Sequence, residues 1–177
     1  MRARFVIFLA VAFFAQFAPA QNAITFSPGL PKPWTQLSSQ VIPGTNPITH
    51  DSITANITVV QDKTNLTTML ISVIPAASAE ATNHLVADAR DWIHGVLDGF
   101  AENHDYSISR LAVKTEDKKR FAETAFTVRL QDATLFGISR YAIVGTNAIG
   151  WVAFGRSTAI ESNKVVLGIA ASVKIKK

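Results

Sequence analysis

The sequence predicts an α+β domain, with an antiparallel β-sheet of about six to seven strands packed against one long helix and a short C-terminal helix. Three observations predict it. Leu85, Val86, Ala89, Trp92, Ile93, Val96, Leu97 and Phe100 recur at helical spacing. Segments of strand character stand on both sides of that stretch, and the turns that follow it are short enough to join antiparallel neighbours rather than crossovers.

Taken in order, residues 1–20 read as a signal peptide. Arg2 and Arg4 precede the apolar run Phe5 to Phe14, and Ala18-Pro19-Ala20 fits a small-residue cleavage site. The apolar run is short for a membrane span, so the mature chain is expected to have none. Residues 21–49 hold Pro28, Pro31, Pro33, Pro43 and Pro47, five of the seven prolines in the chain. Such density excludes a helix interior or a central strand, so the segment reads as irregular, with Trp34 to Val41 as an edge strand. Residues 50–177 read as the folded α+β unit.

Ala55, Ile57 and Val59 alternate with Thr54, Asn56 and Thr58, which is the period of a half-buried strand. Asp62 to Asn65 is a turn. Thr68 to Ile74 is apolar on both sides and reads as a central strand closed by Pro75. The helix is expected over 80–103, about 36 Å long, with Ser78 as N-cap. Gly95 and Gly99 on its flank suggest close backbone approach to another element. Four strand-like segments follow, Tyr106 to Lys114, Phe121 to Gln131, Leu135 to Val144 and Ile149 to Arg156. Thr158-Ala159-Ile160-Glu161 fits a capping box and favours a short helix towards Val173, with a strand as the alternative because of its β-branched residues.

Composition narrows the functions. Without Arg2 and Arg4 the 17 basic residues fall to 15 against 13 acidic ones, a balance too even to argue for nucleic acid. The chain has no cysteine, which excludes disulfides, thiolate metal sites and a lipid-modified N-terminal cysteine. A periplasmic or extracellular soluble protein is the expectation.

Phe26-Ser27-Pro28 followed by Trp34, and the closing run Val166 to Ile175 ending Ser172-Val173-Lys174-Ile175, resemble the opening and closing motifs of the PsbP-like superfamily. The resemblance implies a lumenal or periplasmic antiparallel sheet between helices, and a binding or assembly role rather than catalysis.

The polar helix face carries Asp88, Asp91, His94 and Asp98. His94 with Asp91 or Asp98 has the spacing of an acid–base pair or a partial metal site, although a solvated face is the default for such spacing. No nucleophile elbow, phosphate-binding loop or dinucleotide fingerprint is present. Lys114 to Arg120 reads as a solvated hairpin tip or a patch for an anionic partner. Trp34 and Trp151 are the candidates for an aromatic groove rim, with burial in the core as the alternative reading. The expected function is therefore an exported, non-enzymatic binding or assembly domain for a protein or cell-envelope partner, with no cofactor. The alternatives are a small secreted hydrolase using His94 with Asp91 or Asp98, and a secreted inhibitor or immunity-type protein.

Overall fold

Alternation, not helical period, governs most of this chain. The computed structural model describes residues 24–45, 52–75, 84–100, 105–116, 118–145, 147–162 and 164–175. Strands make up 60% of these and helices 23%, so the α+β expectation gives way to a mostly β fold. The order is β1 (Ile24–Phe26), β2 (Trp34–Thr45), β3 (Ser52–Asp62), β4 (Thr67–Pro75), α1 (Leu85–Phe100), β5 (Tyr106–Ile108), β6 (Ala112–Glu116), β7 (Lys119–Leu130), β8 (Ala133–Val144) and β9 (Asn147–Gly155). A 3₁₀ turn (Thr158–Ser162), α2 (Lys164–Ser172) and β10 (Val173–Ile175) complete it.

An antiparallel eight-stranded sheet runs β2-β3-β4-β9-β8-β7-β5, with β6 also on β7. A second, two-stranded sheet pairs β1 with β10, setting Phe26 opposite Val173. Where the sequence suggested one long helix, α1 has 16 residues and α2 has 9. The apolar stripe justifies only Leu85 to Phe100. The expected extensions at 80–83 and 101–103, Ser78 and the signal peptide lie outside the described residues.

The strand content was underread at three places. The edge strand expected over Trp34 to Val41 is present as β2, but it runs on to Thr45 for 12 residues, because at the sheet edge Pro43 can face away from a neighbour. Tyr106 to Lys114 is not one strand but two, β5 and β6, interrupted at Ser109 to Leu111. The segment after Thr158 divides into a 3₁₀ turn, a helix and a strand, and the Ser157 hydroxyl accepts from Ala159 N–H at 3.2 Å at the start of the turn.

Each face of the large sheet has its own core. On one, α1 buries Leu85, Ala89, Trp92, Ile93, Val96 and Leu97 against Ile57, Leu70, Ala122, Phe126, Tyr141 and Val152. Two glycines of the sheet make room for this packing. A Cβ on Gly150 would collide with the Trp92 indole, and one on Gly137 with the Phe126 ring. Trp92 stands beside Tyr141 with ring centroids 6.1 Å apart. On the other face, Ile160, Val166 and Ile169 close over Val60, Met69, Ile71, Val73, Ile138 and Trp151.

Candidate functional site

The interruption between β5 and β6 opens the sheet edge beneath α1. Ser109 N–H donates to Ala125 O at 2.9 Å, and Thr124 Oγ1 donates to Ser109 O at 2.8 Å. These bonds tether the chain to β7 while it leaves strand geometry, so Arg110 and Leu111 turn towards the helix. Between them and α1 lies a cleft of about 630 Å³, lined by Val86, Arg90, His94, Tyr106, Arg110 and Leu111 among others. A second hollow of about 320 Å³ shares Val86 and Arg90 and adds His84, Val113 and Arg120. Together they form one groove along the flank of α1.

Its charge is one-sided. Arg90, Arg110 and Arg120 all line it, with two histidines, and among the described residues no carboxylate does. Among the described residues none of these arginines has an ion-pair partner. Val86, Ile108, Leu111 and Val113 provide apolar surface between the cations.

At one end, Tyr106 bridges two residues of the polar helix face. Its hydroxyl donates to Asp98 Oδ1 at 2.7 Å and lies 2.8 Å from His94 Nδ1. Burial raises the Tyr106 pKa, and the bond to Asp98 and that carboxylate's charge raise it further, so the hydroxyl keeps its proton. With that proton given to Asp98, His94 Nδ1–H is the donor to Tyr106, which fixes the orientation of the ring and leaves Nε2 as the nitrogen that does not face Tyr106. The structure thus joins His94 to Asp98 through a residue the helical spacing did not include. Asp91 is exposed and, among the described residues, enters no hydrogen bond.

The tryptophans are placed differently from the expectation. Trp34 and Trp151 are each only 6% exposed and belong to the core under α2, so neither forms a groove rim. Trp151 is further covered by the Arg140 guanidinium, which lies 4.2 Å from the Phe121 ring centroid and 5.7 Å from that of Trp151. The Lys114–Arg120 patch is split by strand alternation. Lys114 pairs with Glu123, and Glu116 with Arg140, on the sheet face opposite the groove, while Arg120 lines the groove.

Sequence reasoning missed Arg90, Tyr106 and Arg110. The signal for Arg90 was available: Val86, Arg90 and His94 stand at i, i+4 and i+8, one line along the helix. Arg110 and Tyr106 carried no comparable signal, because their places depend on the strand interruption. Among the described residues, no group of three or more His, Cys, Asp or Glu is placed to hold a metal ion, and no helix is long and apolar enough to cross a membrane. Set beside known proteins, the chain matches no family model and no curated protein.

Proposed function

We propose that this chain is an exported, non-enzymatic binding or assembly domain for a protein or cell-envelope partner, and that the groove between α1 and the β5–β6 edge is its binding face. One observation carries the reading: Arg90 and Arg110 converge on a 630 Å³ cleft with no counter-ion among the described residues. Uncompensated cations repel one another and do nothing for the fold, so a ligand that neutralises them gains more than it would at an ordinary surface. The PsbP-like opening and closing motifs support the same reading. Native mass spectrometry of the protein purified from its own host tests it. The wild type carries a bound partner, and an Arg90→Glu/Arg110→Glu variant with an unchanged near-UV spectrum loses it. A wild type that is a bare monomer sinks the reading.

A second reading rests on the His94–Tyr106–Asp98 chain. An imidazole held through Nδ1, with Nε2 turned away from its hydrogen-bond partner, has the geometry a general base needs. A small hydrolase would use His94 Nε2 in this way at the cleft mouth. Hydrolysis of a p-nitrophenyl ester that is lost in both His94→Gln and Tyr106→Phe supports it, and the same slow rate in all three proteins dismisses it.

A further inference from the structure

We infer that the groove binds an extended acidic segment of a protein partner, with alternating carboxylate and apolar side chains. The inference rests on the binding-domain reading above and adds the chemistry of the ligand.

Length is the first argument. His84, immediately before α1, and His94 on it mark the two ends of the groove, ten residues apart, which is about 15 Å at helical rise. An extended peptide rises about 3.3 Å per residue, so four to five residues cover that span. Carboxylates on alternate residues then stand about 6.6 Å apart on one side of such a peptide, enough for one near each end and one at Arg90 between.

The kind of cation is the second. Arg90, Arg110 and Arg120 are all arginines, and among the described residues no lysine lines either hollow. A guanidinium presents a planar fork that matches a carboxylate by two parallel hydrogen bonds, which a lysine ammonium does not.

Placement is the third. Arg90 stands on the helix, whereas Arg110 and Arg120 come from the β-strand side. Cations that converge from two walls onto a recessed line suit a chain lying between them, whereas a bilayer headgroup plane is met by cations directed outward from one surface. The apolar side chains Val86, Ile108, Leu111 and Val113 would accept the intervening residues. β6 is exposed throughout at the sheet edge, so its outward backbone groups are available to the same peptide.

The test is fluorescence anisotropy with a fluorescein-labelled hexapeptide alternating glutamate and valine. Saturable binding that weakens with salt is expected, with a loss of about ten-fold or more in an Arg90→Gln/Arg110→Gln variant whose melting temperature is unchanged. Arg129→Gln, an exposed cation outside the groove, should leave binding intact. Equal binding by the double variant, or by the same peptide with glutamine for glutamate, overturns the inference. So does saturable binding to phosphatidylglycerol vesicles without any to the peptide, which assigns the groove to a lipid headgroup. The two levels separate cleanly. A host partner lost in the charge-reversed variant, with no binding of the acidic peptide, keeps the binding-domain reading and removes this one. Peptide binding by a protein that carries no partner in its host does the reverse.

Discussion

Strands β6, β7 and β8 carry charges on both faces, and the two faces treat them in opposite ways. On the side of α2, Arg140 pairs with Glu123 and Glu116, Lys114 pairs with Glu123, and the guanidinium lies over Phe121 and Trp151. Glu123 and Arg140 keep only 11% and 15% of their side-chain surface in water, so each depends on the other. On the side of α1, Arg90, Arg110 and Arg120 face a solvent-filled groove and depend on nothing described. The same residue type serves the fold where it is paired and is left over for a partner where it is not. Substitutions on the two faces should therefore separate stability from binding.

The largest effect is expected where the α1 wall of the groove meets the sheet. Gly150→Ala puts a methyl group into the Trp92 indole, and neither the sheet backbone nor a helix anchored by Ile93 and Val96 has room to retreat. Overpacking of this kind costs about 1–3 kcal/mol, and this site should fall at the upper end. Urea unfolding checks it, and a loss below about 0.5 kcal/mol means that α1 is held less tightly than its packing implies. The next is Glu123→Gln, which leaves Arg140 with Glu116 alone. Breaking a fully buried pair costs about 3–5 kcal/mol, and the residual exposure here reduces that to about 1–3 kcal/mol. Arg90→Gln should stay within about 0.5 kcal/mol of the wild type. If Glu123→Gln and Arg90→Gln destabilise equally, the contrast between the faces is wrong.

Why the α1 face was easier to read than the groove follows from how far apart in the chain the determinants lie. The stripe from Leu85 to Phe100 is local, and α1 follows it residue for residue. The alternation around Ile57 and Phe126 is local too, and β3 and β7 follow. The strand that escaped notice has a remote partner, since β1 pairs with β10 across almost the whole chain, whereas β2, expected as an edge strand over Trp34 to Val41, runs on to Thr45 despite Pro43 because it has an edge to occupy. The groove needs Arg90 from a helix and Arg110 from an interrupted strand, and neither position has meaning until both are placed. Trp34 and Trp151 show the converse error. A hydrogen-bonding aromatic is a rim candidate by type alone, whereas the pairing of Trp151 with Ile71 puts it on a buried face.

Asp62 tests the quieter end of the same question, a carboxylate that is almost buried yet fully employed. It closes the β3–β4 turn, accepting from Thr64 N–H at 2.8 Å, Asn65 N–H at 3.2 Å and the Asn65 side-chain amide at 2.7 Å. Burial alone pushes its pKa up, but the three hydrogen bonds outweigh that and hold it below the ordinary carboxylate value. A depressed folded-state pKa contributes stability that is fully present above the unfolded value and disappears as pH falls through the folded one. Asp62→Ala should therefore cost about 1–3 kcal/mol at neutral pH, with the gap to wild type closing as the pH is taken below 4. A gap that stays constant down to acid pH means the loss is one of packing rather than of charge.

Asp88 gives the smallest effect and the sharpest check on the groove. It stands two residues before Arg90, and a guanidinium within reach would hold its pKa down. Its pKa is raised instead, by burial first and by Asp91 in addition, against a lowering from His84. Asp88 is therefore not the counter-ion of the groove arginines; its charge falls on Tyr141, whose hydroxyl is pushed up by burial and by this carboxylate. A raised folded-state pKa means that the ionised group opposes folding above that pKa, and the penalty is relieved as pH falls towards the unfolded value. A carboxylate in the first helical turn has a favourable interaction with the helix dipole, which works the other way. Since the net shift is upward, the penalty wins, and Asp88→Asn should melt slightly above wild type at pH 7, with the difference vanishing as the pH is lowered. It should leave acidic-peptide binding unchanged. A variant that melts lower at pH 7 and binds the peptide more tightly would make Asp88 an internal partner of Arg90, and the groove's cations would then be serving the fold after all.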